Sequence, residues 1–232
     1  MGLQGAFHRR ANWGLERSIW YEPASAVSLT RALDEPGALF PGDPLFRLRR
    51  TLRLETGASV NVARIGHSDH AGTHADLPYH LYADMRRWVP DEAHYRGPGY
   101  VLYAEHTLEP PDLDEIPQEA ALLLVRTPHG GPARRPILHY PTLSPQAAER
   151  LTRLRVKAII VDVLSVDVAD STTLPVHRLL LEAGIAIVEN ADLRALSPGS
   201  LPWVEGQPVP ISHSHISALP MALRAYRRWG WV

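Results

Sequence analysis

Three histidines and an aspartate lie within eleven consecutive residues, in the segment HAGTHADLPYH from His70 to His80. Imidazole nitrogens and carboxylate oxygens are the ligands that Zn²⁺ and related divalent ions take in proteins. His70 and His74 are four residues apart, so one turn can aim both at a single ion, and Gly72 permits the bend that Asp76 needs. The segment therefore predicts a divalent metal site.

Two other interpretations of this segment are weaker. A zinc protease of the HExxH type carries Glu directly after the first His, as general base, whereas this chain has Ala71 there. A single His among the twelve in the chain is usually structural or solvated. Four ligand-type residues in one short segment, interrupted by Gly and Pro, have no such structural explanation, which favours metal binding.

Composition narrows the class of protein. A chain of 232 residues suits one domain with a substantial core. It has no Cys, which excludes disulfides, thiolate ligands and a Cys nucleophile, so any metal must have N and O ligands. With 24 basic and 25 acidic residues, it lacks the positive charge of nucleic-acid binders, and a small neutral or anionic substrate is expected. Without a leader-like segment or a long apolar run, we expect a soluble, cytoplasmic protein that binds no membrane.

The elements that must position these residues are strands joined by helices. Residues 1–24 have no steady period and predict an N-terminal arm, followed by a single domain over residues 25–232. Alternating segments at 46–55 and 59–66 predict a hairpin that leads into the metal segment. Residues 100–106 predict a strand, and apolar runs predict buried strands at 120–125, 158–163 and 185–190, with helices starting near Ser144 and Leu174 between these last three. Helices between apolar strands indicate βαβ crossovers and a partly parallel sheet.

Two more ligand-type residues fall where such a fold collects its ligands. His177 lies in the first turn of the second predicted helix, and Glu189 ends the buried strand that follows it. Ligands of α/β sheets bind at the carboxyl ends of strands. A buried carboxylate there is costly unless a cation or a donor meets it, and a salt bridge to an Arg would satisfy it as well as a metal.

The segment HAGTHADLPYH resembles the central motif of the metal-dependent cyclase and kynurenine formamidase family, His-x-Gly-Thr-His-x-Asp-x-Pro-x-His, at all seven defined positions. The resemblance covers roughly residues 25 to 196. It implies an α/β fold with mixed parallel and antiparallel sheets and flanking helices, of the swivelling β/β/α type. It also implies a hydrolase that works as a homodimer.

The resemblance assigns metal ligands residue by residue. His70, His74 and Asp76 would hold one ion, and Asp76, His177 and Glu189 a second, with Asp76 shared and Glu189 as a candidate second shared ligand. The expected cofactor is zinc, two ions per chain, with manganese as an alternative. Paired ions would polarise the substrate carbonyl and lower the pKa of bound water to about 7.

Other roles follow from the same resemblance. His80 matches the residue that transfers protons, although a third metal ligand or a donor to a ligand are alternatives. Phe40, in the stretch Phe-Pro-Gly-Asp, matches the aromatic that contacts the substrate ring, where formamidase members carry Trp. Ser165 and Asp167 match a Ser-x-Asp stretch that would support the ligands, with a simple turn role as the alternative.

We expect cleavage of a small aryl amide, with N-formyl-L-kynurenine as the leading substrate. An alternative within the family is ring opening of a cyclic amide or lactone such as isatin, with manganese. A third hypothesis is a metal-binding protein without turnover, whose segment 197–215 covers the site or recruits a partner. That segment has no counterpart in the family. Its His213 and His215 alternate on one predicted strand face, which suits either a solvated edge or a further metal site.

Overall fold

The computed structural model describes residues 19–83, 89–211 and 215–231. Within these ranges it contains two α-helices, α1 (Pro145–Leu151) and α2 (Pro175–Glu182). The strands are β1 (Ile19–Tyr21), β2 (Ala26–Ser28), β3 (Arg47–Leu52), β4 (Val62–Gly66), β5 (His74–Asp76), β6 (Arg96–Tyr103), β7 (Leu122–Arg126), β8 (Ala158–Val161), β9 (Ala186–Glu189), β10 (Trp203–Pro208), β11 (Ala218–Tyr226) and β12 (Trp229–Trp231).

The main sheet has eight strands in the order β10-β6-β7-β8-β9-β5-β11-β2. Strands β6, β7, β8 and β9 run parallel, whereas β5, β11 and β10 pair antiparallel with their neighbours. Because β10 pairs with both β6 and β11, seven of the eight strands form a closed circuit, and β2 joins it along β11. The prediction of an α/β fold with a mixed sheet is confirmed.

The parallel strands are buried on both faces, which explains their uninterrupted apolar sequences. Leu123, Ile159 and Ile187 pack on one face in the cluster that contains the helix residues Leu151 and Leu180. The alternate residues of the same strands, Leu122, Ile160 and Val188, pack on the other face against residues of β11. The crossovers are those expected from the sequence: α1 connects β7 to β8, and α2 connects β8 to β9.

Both helices begin as their sequences predict. Ser144 caps α1, its hydroxyl accepting the N–H of Ala147 at 3.1 Å, and Pro145 follows at the first helical position. Pro175 opens α2 after Leu174, which has a left-handed φ of 47°. Since α2 starts from the loop that follows β8, its first turn lies at the carboxyl end of the parallel strands, beside the end of β9.

The predicted hairpin forms, with β3 and β4 antiparallel, but every residue of both strands is exposed. Strand β6 begins at Arg96, earlier than the predicted Tyr100, because residues 96–98 pair with β10. His215 lies in a turn and not on the strand expected there, and His213, the other residue of that expectation, lies outside the described residues.

Most of the predicted arm, residues 1–18, also lies outside the described part of the chain. The end of that arm is β1, which pairs antiparallel with β12 and so joins the two ends of the described chain. The boundary at residue 24 stays a prediction. Among the described residues, no helix is long and apolar enough to cross a membrane.

Candidate metal centre

Strand β5 presents two ligand-type side chains on one face. Side chains alternate along a strand, so His74 and Asp76 point the same way while Ala75 between them packs in the apolar core. The antiparallel register places His74 opposite Glu189 of β9 and Asp76 opposite Ile187. Two carboxylates and one imidazole from distant parts of the sequence are therefore brought to one spot by strand pairing.

Five side chains form two triads that share Asp76. In the first, Nδ1 of His70 lies 3.2 Å from Asp76 Oδ1, and Nε2 of His74 lies 3.4 Å from the same oxygen. In the second, Nε2 of His177 lies 3.2 Å from both Asp76 Oδ2 and Glu189 Oε1. The second oxygen of Glu189 lies 3.6 Å from His74 Nε2, so this carboxylate faces both triads. The five residues predicted as metal ligands thus converge.

The imidazole of His177 is held by a further carboxylate. Its Nδ1 lies 2.7 Å from Asp167 Oδ2, and the oxygens of Asp167 accept the backbone N–H groups of Val176 and His177 at 3.0 Å. This bond directs Nε2 of His177 towards Asp76 and Glu189. Asp167 therefore lies where its predicted supporting role requires it, directly behind His177. Ser165 lies beside it, its hydroxyl accepting the N–H of Asp167 at 3.2 Å.

Backbone geometry around the motif is restrictive. Gly72 has a φ of +64°, and a Cβ there would lie 2.9 Å from the carbonyl oxygen of Arg31, so both conformation and space require glycine. The hydroxyl of Thr73 accepts the N–H of Arg31 and donates to the carbonyl oxygen of Asn190, each at 2.7 Å. These bonds join the motif segment to the end of β9, and so hold His74 and Glu189 in register.

The ionisable groups of the cluster shift one another strongly. Burial opposes the charged form of His74, but Asp76 and Glu189 overcome it and raise the pKa of His74 to about 10. The pKa of His177 is likewise raised well above its usual value despite burial, by Asp167, Asp76 and Glu189. In return, burial would raise the pKa of Asp76, but the facing imidazoles of His177, His70 and His74 hold it well below its usual value.

The donor set fits a divalent cation. Asp76 Oδ1 is fully buried and has no hydrogen-bond partner among the described residues, although it faces two imidazole nitrogens. An acceptor oxygen that is left without a hydrogen-bond donor in the interior is costly unless a cation meets it. The ligand atoms of each triad lie within 4.8 Å of one another and consist only of N and O, which matches the preferences of zinc and manganese.

A cavity of about 240 Å³ opens onto the cluster. Phe40 and His80 line it together with four of the five ligand-type residues, and Leu164 and Leu174 add apolar surface. The ring of His80 lies 4.5 Å from that of His70 and 5.6 Å from that of His177, measured between centroids. Burial, together with the nearby His70 and His177, lowers the pKa of His80 although Asp76 and Glu189 oppose this, so its imidazole is neutral at neutral pH.

Sequence reasoning missed two residues of the site. Asp69 and Ser217 form a hydrogen-bonded pair behind His70, and Ser217 Oγ lies 3.0 Å from His70 Nε2. Asp69 precedes the first His of the motif and is the only part of the pair that a close inspection of the motif would include. Ser217 gives no signal in the sequence, since it is one serine in a polar segment.

Comparisons with known proteins show which family this chain resembles. A family model described as "Putative cyclase" matches residues 27–168. The kynurenine formamidase of Geobacillus thermodenitrificans (strain NG80-2) is 30% identical over 208 residues, covering 85% of this chain and 96% of that protein. The kynurenine formamidase of Bacillus cytotoxicus is 30% identical over 178 residues, covering 75% and 85% respectively.

Solved structures share the fold. Isatin hydrolase A from Labrenzia aggregata, bound to benzyl benzoate, aligns with a TM-score of 0.69 at 19% sequence identity, covering 86% of this chain and 92% of that one. At this level of identity the likeness supports the common architecture of strands and crossovers.

Proposed function

Because the chain belongs to the putative-cyclase family, we propose that it is a metal-dependent hydrolase that cleaves a small aryl amide, N-formyl-L-kynurenine, to L-kynurenine and formate. The observation that carries the proposal is the pair of buried ligand triads sharing Asp76, four of whose five residues line a cavity together with His80 and Phe40. The choice of substrate is supported by the similarity of the chain to kynurenine formamidases.

The five ligands are proposed to hold two zinc ions per chain, one in each triad, with manganese as the alternative for the same N and O donors. When bound, such ions supply Lewis-acid polarisation of the carbonyl and a water of lowered pKa. The protein contributes orientation: Asp167 fixes His177, and the backbone carbonyl of Gly72 accepts Nδ1–H of His74 at 3.0 Å. Each of these bonds leaves Nε2 free to face an ion.

His80 is proposed to transfer the proton. Hydrolysis adds the oxygen of water to the formyl carbon, breaks the C–N bond and leaves one proton of the water on the aryl nitrogen. A neutral imidazole can accept that proton and donate it to the leaving amine. The lowered pKa of His80 keeps the acceptor form present at neutral pH, and its ring lies beside both triads.

Phe40 is proposed to pack against the aryl ring of the substrate. It lines the same cavity as the ligand-type residues, and Leu164 and Leu174 supply further apolar wall. A cavity of about 240 Å³ admits a single small molecule rather than a polymer. Phe is smaller than the Trp of formamidase members and lacks its indole N–H, so we expect Phe40 to contribute apolar contact without a hydrogen bond.

The test is hydrolysis of N-formyl-L-kynurenine, followed by absorbance, with isatin assayed in parallel on the same zinc-loaded and manganese-loaded protein. Preference for N-formyl-L-kynurenine, lost on treatment with a chelator and restored by metal, is the expected result. Faster opening of isatin would assign the cyclic-amide alternative. Metal binding without hydrolysis of either compound would contradict the proposed function and support the non-catalytic hypothesis.

A homodimer is proposed to form through the hairpin β3–β4. Seven large apolar side chains between Leu45 and Ile65 are 45–66% exposed, which is a concentrated apolar surface on an isolated two-stranded element. Such a hairpin is marginally stable without a partner. The double substitution Leu48→Asp with Ile65→Asp is expected to give a monomer by light scattering. A wild-type protein that is already monomeric would contradict the homodimer.

A further inference from the structure

His70 differs from the other two imidazoles of the cluster in how it is held. Its side chain is 17% exposed, whereas those of His74 and His177 are 1% and 2% exposed. It also faces Asp76 through Nδ1, whereas His74 and His177 face the carboxylates through Nε2. His70 is therefore the least buried of the three imidazoles, and it needs a partner at Nε2 if Nδ1 is to face the ligand atoms.

That partner is Ser217, backed by Asp69. One oxygen of Asp69, Oδ2, accepts three hydrogen bonds: from the Ser217 hydroxyl at 2.7 Å, from the Ser217 N–H at 2.8 Å and from the Ala218 N–H at 3.2 Å. The Ser217 hydroxyl oxygen lies 3.0 Å from His70 Nε2. The carboxylate thus anchors the serine immediately before β11.

The direction of these bonds follows from counting hydrogens. An ionised carboxylate only accepts, and a serine hydroxyl has a single hydrogen to donate. Since that hydrogen is directed to Asp69, Ser217 Oγ accepts from His70, and Nε2 of His70 carries its hydrogen. Nδ1 of His70 then has a free lone pair, directed at the ligand atoms of Asp76 and His74, each 3.2 Å away.

We propose that Asp69 and Ser217 are positioning residues that hold His70 in the tautomer that binds a divalent ion through Nδ1. The metal site is thereby tied to the start of β11, in addition to its ties to β9 and α2. The inference rests on the proposed metal centre but not on the identity of the substrate. Partners of this kind behind a histidine ligand typically change metal affinity by about 10- to 100-fold.

The experiment measures zinc affinity by competition between metal-free protein and a chromophoric chelator. Ser217→Ala is expected to raise the Kd for zinc by about 10- to 100-fold, while Ser217→Thr, which keeps the hydroxyl, stays within a few-fold of wild type. Asp69→Asn is expected to weaken binding in the same direction. Ser200→Ala, a matched loss of a serine hydroxyl that donates to the backbone carbonyl oxygen of Ser197, is the control with wild-type affinity.

A second readout reports the tautomer directly. Histidine ¹⁵N spectra of the zinc-loaded protein are expected to show one ligand bound through Nδ1 and two through Nε2. Wild-type affinity in both Ser217→Ala and Asp69→Asn, equal losses in Ser217→Ala and Ser217→Thr, or three Nε2 ligands would each overturn the inference. If Ser217→Ala fails to fold, Asp69→Asn and the spectra decide. A wild-type protein that binds no zinc would instead overturn the proposed metal centre.

Discussion

Two buried acids of the main sheet behave in opposite ways. Asp162 directly follows β8, and Asp76 lies on β5 opposite Ile187 of β9, and both are almost completely buried. Burial raises the pKa of Asp162 to about 7. The backbone N–H of Thr127 lies 3.1 and 3.0 Å from the two oxygens of Asp162, and this hydrogen bond only partly offsets the effect of burial. Burial acts on Asp76 in the same direction, yet its pKa stays well below the usual value.

The difference lies in the neighbours. Asp76 faces three imidazoles, whereas the bonds to Asp162 come from a backbone amide. A buried carboxylate is kept ionised only when nearby groups supply positive charge or donors. The neighbours of Asp76 therefore keep its carboxylate ionised in the interior, where it can bind a cation. Asp162, which lacks such neighbours, is kept neutral by burial and contributes to the fold.

The largest expected effect comes from Asp76→Asn, which removes the charge shared by both triads. Metal should be lost from both, and with it several kcal/mol of transition-state stabilisation, so kcat should fall by about a thousandfold or more. Metal analysis by mass spectrometry and the hydrolysis assay check this. If the variant retained stoichiometric metal, Asp76 would not be needed for metal binding, and it would not differ from Asp162 in this respect.

His80→Asn should reduce kcat by about 10²- to 10⁴-fold while the metal content stays at the wild-type value, because a proton-transfer group is lost and no ligand is. His106→Asn is the matched control, since that side chain is 71% exposed and remote from the cluster in its contacts. Loss of metal from His80→Asn would make His80 a ligand, which is the alternative left open by its sequence position.

Asp162→Asn should alter how the free energy of unfolding depends on pH, and it should leave metal content and kcat unchanged. With a folded pKa near 7 and an unfolded value of 3.8, the folded chain retains a proton that the unfolded chain loses between these values. The contribution of Asp162 to the free energy of unfolding therefore falls as pH rises through this window, and the loss is complete above about pH 7. The variant should gain stability relative to wild type between about pH 4 and pH 8.

Urea unfolding of wild type and Asp162→Asn at several pH values measures that difference. A stability difference that does not change with pH would show that Asp162 is ionised in the folded protein, as Asp76 is, and the comparison would fail. A loss of bound metal in Asp162→Asn would do so as well, since it would place this acid in the metal centre.

The predictability of the site depended on sequence distance. His70, His74 and Asp76 were evident because a strand and a turn bring together residues that are close in the chain. His177 lies 101 residues from Asp76, and only a family resemblance connected the two. Ser217 lies 148 residues from Asp69 and has no distinctive residue type, so strand pairing alone brings it to His70.

The fold shows the same pattern. The parallel strands and their helices were predicted, because burial on both faces gives uninterrupted apolar runs and the helices have clear starts at Ser144 and Pro175. The early start of β6 and the closure of the circuit through β10 were not predicted, because antiparallel pairing between distant segments leaves no periodic signal. The full exposure of the hairpin was also missed, since alternation predicts one buried face.

The most direct test of the central claim is calorimetric titration of metal-free wild-type protein with zinc, beside Asp76→Asn and Asp162→Asn. We expect two bound ions per chain for wild type and for Asp162→Asn, and release of protons as the imidazoles exchange hydrogen for metal. We expect no tight binding for Asp76→Asn. Equal binding by Asp76→Asn and wild type, or no binding by wild type, would contradict the central claim.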